Sequence, residues 1–294
     1  MKRILVTGGA GFIGGNLCKG LIKSGKNEVF SLDNYSSGST DNHIDGVEYI
    51  VGDTNDISSV LSFVPDTVYH LGEYSRVEQS FHDLTAIRKS NLSGTFAVVQ
   101  FCTANECKLV YAASSTKFAD NGEGRGQSPY GYSKAINTEL VQNFGNWFNL
   151  EYAITYFYNA FGPGEIRSGK YATLIASFAE RMRFGQALTV VAPGTQVRNF
   201  THVHDIVSGL MLVGEKGSGD GFGIGVDRAY SILEVAEMFG GQIEMLSERA
   251  GNRANSDLVN AETIKLGWRP QHNLKDYIEE LRENNWIDLG DQYV

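Results

Sequence analysis

Three cysteines in 294 residues, Cys18, Cys102 and Cys107, are an odd number at no metal-ligand spacing, which excludes a disulfide framework. They fit a reducing compartment, and the expected location is the cytoplasm. Long apolar runs are missing as well. No stretch reaches the roughly 18 uninterrupted apolar residues of a membrane span. The opening run Ile4-Leu5-Val6 breaks at Thr7-Gly8-Gly9, too early for the core of a signal peptide. Basic residues are in deficit, with 25 Lys+Arg against 34 Asp+Glu and a net charge of −9. Such a surface repels phosphate backbones, so nucleic acid is not an expected partner. An anionic nucleotide held by local backbone amides and a few arginines is not excluded. Repeats and low-complexity tracts are absent. What remains is an ordinary globular composition, 42% hydrophobic with 34 Gly and 5 Pro, long enough for one large or two closely joined domains.

Short apolar runs alternate with helical patterns through the first half. Runs at residues 4–6, 28–32, 47–51, 67–71, 108–112 and 152–157 read as buried strands, and residues 14–23, 91–105 and 133–148 as amphipathic helices. Strands alternating with helices imply βαβ units, and right-handed crossovers then give a Rossmann-type, doubly wound parallel sheet. After Gly162-Pro163-Gly164 the texture becomes less regular, with glycine-rich turns at residues 217–225 and 240–241. The expected division is a dinucleotide domain over 1–162 and a smaller mixed α/β domain over 163–294, mainly for substrate and able to interleave with the first.

Gly8, Gly11 and Gly14 follow the first strand in GxxGxxG spacing and open a helix. Glycine permits the tight turn, the approach of backbone to a pyrophosphate and close helix–strand packing, and the helix N-terminus offers unpaired N–H groups to the phosphates. Asp33 ends the second strand about 20 residues on, where a carboxylate accepts hydrogen bonds from ribose hydroxyls and repels a 2′-phosphate. With no Arg or Lys over residues 34–38, the expected cofactor is NAD. Asp53 after the third strand is placed to meet the adenine, while Asp56 reads as a helix cap. Phe12, Ile13, Asn34, Ser37, Thr54 and Leu71 complete the expected cofactor contacts.

Tyr130 and Lys134 stand four apart on a helix and so share a face, where the amine favours the phenolate. Tyr132 has Ile136 at the corresponding position and lacks such a partner. Upstream, Ser114-Ser115-Thr116 runs off a strand end that faces the ligand crevice of such sheets. Each signal alone has a bland reading: a plain turn, a solvated helix face, a loop start. The three in this chain order resemble the extended short-chain dehydrogenase/reductase (NAD-dependent epimerase/dehydratase) family, most closely its nucleotide-sugar 4-epimerases of the UDP-glucose type. His70-Leu71-Gly72, residues 91–95, Tyr158-Asn159-Ala160-Phe161-Gly162-Pro163, residues 198–206 and Leu266-Gly267-Trp268-Arg269-Pro270 extend the likeness over nearly the whole chain.

The resemblance implies Ser114 as the triad hydroxyl, Tyr130 as base and Lys134 as its tuner and a contact to the nicotinamide ribose. It implies Asn159 as a substrate ligand and Arg198 on the nucleotide diphosphate, with Arg249 or Arg253 as a second phosphate contact. The implied reaction is C4 epimerisation by transient oxidation with retained NAD, in a homodimer paired through helices within residues 91–103 and 133–148. Family dehydratases and decarboxylases carry acids after the triad hydroxyl. Here Ser115, Thr116 and Lys117 follow Ser114, which favours epimerisation. A net dehydrogenase or reductase releasing its cofactor, and a non-catalytic NAD-binding regulator, are the competing functions.

Departures from the family pattern are the Gly72-Glu73 pair with nearby Arg76, Tyr156 in place of an arginine, and a short segment between Ser114 and Tyr130. Glu73 and Arg76 either shape the sugar pocket or pair with each other near the surface. Small residues at Ala254-Asn255-Ser256 would leave room for an N-acetyl group. His202 and His204 suggest a metal, but no third ligand is spaced nearby, so they read as structural and no metal is expected.

Overall fold

The computed structural model describes residues 1–248, 255 and 257–288. The strands are β1 (Lys2–Thr7), β2 (Asn27–Asp33), β3 (Val47–Val51), β4 (Thr67–His70), β5 (Lys108–Ser114), β6 (Tyr152–Phe157), β7 (Ala160–Phe161), β8 (Leu188–Val191), β9 (Val197–Asn199), β10 (Thr201–His202), β11 (Gly219–Ile224), β12 (Ala229–Ser231) and β13 (Ile243–Leu246). The helices are α1 (Phe12–Lys23), α2 (Ile57–Val60), α3 (Leu84–Ile87), α4 (Thr95–Ala104), α5 (Pro129–Phe148), α6 (Leu174–Arg183), α7 (Val203–Lys216), α8 (Ile232–Phe239), α9 (Ala261–Lys265) and α10 (Leu274–Glu283).

Seven strands form one sheet in the order β11-β6-β5-β4-β1-β2-β3, every neighbouring pair parallel. The strand order reverses at β1, so a crevice opens at its C-terminal end, where the glycine turn begins. Successive strand residues point to opposite faces. Leu5, Val68, Leu109 and Tyr111 pack with Val98, Val99, Cys102, Val141 and Phe144 from α4 and α5. Ile4, Val6 and Val110 pack on the other face with Leu17 and Leu21 of α1 and Ile206 and Leu210 of α7. Both faces are covered, which is why these strands read as unbroken apolar runs.

A separate core built on Phe161, Phe178, Phe239 and Ile278 holds the smaller lobe. Its strands pair in three two-stranded ribbons, β10 with β7, β12 with β9, and β13 with β8.

Three expectations change. Residues 217–225, read as a turn, contain β11, which extends the main sheet from the second half of the chain. Its glycines permit close backbone approach: a Cβ on Gly223 would lie 2.3 Å from the Val259 carbonyl oxygen, to which the Gly223 N–H donates at 3.1 Å. The helix expected over 91–105 begins as a π-helical turn, Arg88–Gly94, before α4. Asp56 holds the N-cap position of α2 but its side chain makes no capping bond; Asp53 caps the 3-10 turn Thr54–Asp56 before it, accepting from Asn55 N at 3.1 Å. Among the described residues no helix is long and apolar enough to cross a membrane.

Candidate active site

The glycine turn is dictated by contact. Gly8 has φ +74°, its carbonyl accepts from Gly11 N at 3.1 Å, and a Cβ on Gly14 would lie 2.1 Å from that same oxygen. Asp33 braces the turn, accepting from Ala10 N at 2.9 Å and from Tyr35 N at 2.8 Å. Asp53 is held at a pKa of about 2: burial works against the charge, but hydrogen bonds from Asn55, Lys89 and Asn34 outweigh it.

α5 starts at a sequence signal. Ser128 caps it by accepting from Gly131 N at 3.0 Å, and Pro129 occupies the first turn. Tyr130 and Lys134 follow, both buried. The Lys134 ammonium donates to the Ala112 carbonyl of β5 at 2.6 Å and to the Glu73 carboxylate. At the end of β5, Ser114 Oγ accepts from Thr116 N at 3.3 Å and from Thr116 Oγ1 at 3.0 Å. Its own hydroxyl proton is thus left for a ligand. The π-helical turn serves the same region. Asn91 accepts from Tyr74 N at 2.7 Å and donates to Ser133 Oγ at 2.9 Å, joining the loop after β4 to α5.

Beneath Lys134 lies a polar network the sequence did not disclose. Glu73 is fully buried at its side chain. It accepts from Thr95 Oγ1 at 2.7 Å, Asn137 Nδ2 at 2.7 Å and Tyr111 OH at 3.2 Å. Thr7 Oγ1 accepts from the N–H groups of Leu71 and Gly72, so its proton goes to His70 Nδ1 at 2.7 Å. His70 Nε2 then donates to Thr95 Oγ1 at 2.9 Å. Burial lowers the His70 pKa to about 4, so the ring stays neutral and carries its proton on Nε2. Burial alone would raise the Glu73 carboxyl, but the Lys134 charge and the hydrogen bonds from Lys134 and Thr95 hold it below its ordinary value.

Glu73 and Arg76 do not pair with each other. Arg76 donates through Nε and one terminal nitrogen to the Tyr171 carbonyl, the Nε bond at 3.0 Å. Tyr156 is buried and donates to Asp220 Oδ1 at 2.7 Å, and Lys117 turns away to both of them, at 3.2 Å and 3.7 Å.

One cavity of about 820 Å³ collects nearly every expected residue. Gly8, Gly11, Phe12, Ile13 and Gly14 line it with Asp33, Asn34, Ser37, Asp53, Thr54 and Leu71. Ser114, Tyr130 and Lys134 line it as well, joined by Asn159 and Arg198 from the approach to the smaller lobe. The Asn159 amide donates to the Asn199 carbonyl at 2.9 Å, with Asn159 itself at φ +27°. Arg249, Arg253, Ala254 and Ser256 lie outside the described residues; Asn255 N donates to Asp120 Oδ1 at 3.2 Å.

His272 enters the His202–His204 pair as a third ring that spacing did not reveal, with potential ligand atoms within 4.8 Å of one another. His202 Nδ1 spends its lone pair capping α7, accepting from His204 N at 3.2 Å, and His272 Nδ1 faces Asp205 at 3.0 Å.

Fold and turn together define a Rossmann-type dinucleotide-binding protein with a hydroxyl–tyrosine–lysine set at the mouth of its sheet. The profile described as NAD dependent epimerase/dehydratase family matches residues 4–225, and the chain belongs to that family. It is 28% identical to UDP-glucuronic acid decarboxylase 6 of Arabidopsis thaliana, covering 98% of this chain and 90% of that one. It is also 28% identical to a putative UDP-glucose 4-epimerase of Methanocaldococcus jannaschii, covering 97% and 98%. The crystal structure of UDP-glucose 4-epimerase from Thermus thermophilus in complex with NAD superposes with a TM-score of 0.87 at 25% identity, over 97% of this chain and 98% of that one. The cofactor is NAD, and the glycine cradle fits it: the backbone approaches at Gly8 and Gly14 leave no room for a Cβ, and the turn opens into the cavity.

Proposed function

We propose that the protein is an NDP-sugar 4-epimerase of the UDP-glucose or UDP-N-acetylhexosamine type. The observation that carries this reading is the convergence of Ser114, Tyr130 and Lys134 on the cavity lined by the glycine turn, with no carboxylate directly after Ser114. NAD, held by the turn at Gly8, Gly11 and Gly14 and by Asp33, would supply the acceptor and then the donor of the sugar C4 hydride. Tyr130 removes the proton of the 4-hydroxyl and gives it back, with Lys134 favouring the phenolate. Ser114, whose oxygen accepts from Thr116, donates a hydrogen bond to the sugar 4-oxygen and keeps its own proton, holding that oxygen in both directions. Lys117, engaged with Asp220 and Tyr156, supplies no acid for elimination. Asn159 positions the substrate, and Arg198 with Arg249 or Arg253 holds the diphosphate on the lobe after residue 162.

A specific observation favours a second substrate. Arg76 lines the cavity beside Tyr130, and no carboxylate among the described residues lies within ion-pair distance of it. A uronate carboxyl would supply the missing anion, and named relatives include UDP-glucuronic acid decarboxylases.

The protein works in the cytoplasm as a homodimer. Its three thiols are buried and unbridged. Phe96 of α4 and Trp147 and Phe148 of α5 are 42%, 63% and 56% exposed, an apolar patch on the two helices expected to pair.

The test is NMR of the purified protein with UDP- and GDP-sugars, including UDP-glucose, UDP-N-acetylglucosamine and UDP-glucuronic acid, without added NAD. Formation of the 4-epimer, abolished in Tyr130→Phe, is the expected result and names the sugar. No conversion of any sugar, with NADH accumulating only when NAD is supplied, would replace this reading by a net dehydrogenase.

A further inference from the structure

We propose that Glu73 is a positioning residue for the Tyr130–Lys134 pair: it fixes the lysine ammonium against β5 and offsets part of the charge that Lys134 presents to Tyr130. This rests on the epimerase reading for the role of Tyr130, but not for the contact itself.

The geometry leaves Lys134 little freedom. Of its three N–H groups, one goes to the Ala112 carbonyl and one to Glu73, so only one is left for the cavity. Glu73 in turn is gripped from three elements: Thr95 on α4, Asn137 and Lys134 on α5, and Tyr111 on β5, with His70 of β4 behind Thr95. Asn137 spends both amide protons, on Glu73 and on the Asn91 carbonyl at 2.9 Å. A buried ion pair of this kind is not needed for stability, since apolar residues of similar volume serve as well or better. Its partner, however, is the amine that activates the base.

The charge balance follows from the neighbours. His70 is neutral, and burial and Glu73 push the Tyr111 hydroxyl further from ionising. Tyr130 faces the Arg76 guanidinium, which also feels Glu165, and Lys134 stands one helical turn on with the Glu73 carboxylate bound to it. An ammonium with a carboxylate bound to it acts on a nearby phenol as a dipole, whose influence falls off faster than that of a lone charge. Removing the anion therefore favours the phenolate.

The test compares wild type, Glu73→Gln and the swap Glu73→Gln/Asn137→Asp, each with and without Tyr130→Phe. The swap keeps one buried carboxylate and the hydrogen bond between positions 73 and 137, and gives up the bond from position 137 to the Asn91 carbonyl. Subtracting the ultraviolet phenolate titration of each Tyr130→Phe partner isolates Tyr130, whether or not any sugar turns over. The pH profile of kcat/KM on the substrate found above is the second readout. Glu73→Gln is expected to move the Tyr130 transition and the acid limb of the profile to lower pH by about one unit, the low end of what a neighbouring charge does. The swap is expected to return both to wild type, and it carries the test alone if Glu73→Gln does not fold. A uniform loss of kcat in Glu73→Gln with the Tyr130 transition unmoved, or a swap that titrates about one unit from wild type, overturns the inference. Should wild type convert no sugar, the epimerase reading fails while the titration still decides the role of Glu73.

Discussion

Two adjacent glycines in the first turns of α1 should respond to alanine with opposite signs. At Gly14 the new methyl would meet only backbone: the Gly8 oxygen at 2.1 Å, the Gly8 carbonyl carbon at 2.8 Å and Gly9 Cα at 3.0 Å. The Gly8 carbonyl also receives the Gly11 N–H, so moving it opens the cofactor turn. Overpacking of this kind costs about 1–3 kcal/mol, against a helix-propensity gain of at most about 1 kcal/mol. At Gly15 the nearest atoms are the Gly9 oxygen at 3.5 Å and Asn42 atoms at 3.6 and 3.7 Å, all ordinary contacts. There the propensity gain stands almost alone, about 0.5–1 kcal/mol. The propensity gain is common to both, so the two variants should differ by about 1–3 kcal/mol in urea unfolding of the NAD-free proteins. Gly14→Ala should also lose its NAD on gel filtration, while Gly15→Ala keeps it. If both variants are stabilised alike, or Gly14→Ala retains its full complement of NAD, the contact argument for the turn is wrong.

Burial pushes the Glu165 carboxyl from its ordinary 4.5 up to about 7. Between those values the folded chain holds a proton the unfolded chain has released, so this stability is complete below about pH 4.5 and is lost as pH rises through 7. Glu165→Gln should therefore exceed wild type above pH 7 by at most about 3 kcal/mol, and an unchanged pH dependence of Tm would contradict it. Asp205 accepts from Gln271 N at 2.9 Å and from His272 N and Nδ1, both at 3.0 Å. Asp205→Ala should cost about 3 kcal/mol by leaving those backbone N–H groups unpaired, and a denaturation midpoint near wild type would argue against it. If the proposed dimer forms through α4 and α5, Trp147→Glu should give a monomer by light scattering, and a monomeric wild type at micromolar concentration would remove the dimer from the proposal.

The parts of the fold legible in the sequence are those where one local rule suffices. Unbroken apolar runs marked β1 to β6, because both faces of a parallel sheet are covered. Gly8, Gly11 and Gly14 marked the turn, because their spacing repeats what a nucleotide-binding backbone needs. Tyr130 and Lys134 were visible from helical periodicity, and Ser114 from its place at a strand end. The rest depended on partners distant in the chain. Glu73 had a plausible neighbour in Arg76 three residues on, whereas its real partner stands 61 residues away on α5. His272 joins His202 only because Asp205 gathers the loop before α10. β11 was hidden by its glycines, which read as a turn until the approach of Val259 explains them.

The position of β11 also sets a condition on synthesis. When the chain has emerged only as far as β6, the growing sheet ends in a strand with unpaired N–H and C=O groups, ready to pair with another nascent chain. That edge is capped only after more than sixty further residues have been made, including the whole of α7, which covers α1. A fragment stopping at the glycine break near residue 162 would carry the entire cofactor turn, with β6 left as a bare edge. Expression of that half alone should therefore give aggregates rather than an isolated nucleotide-binding domain, and boundaries for shorter versions belong beyond β11, not at the midpoint of the chain.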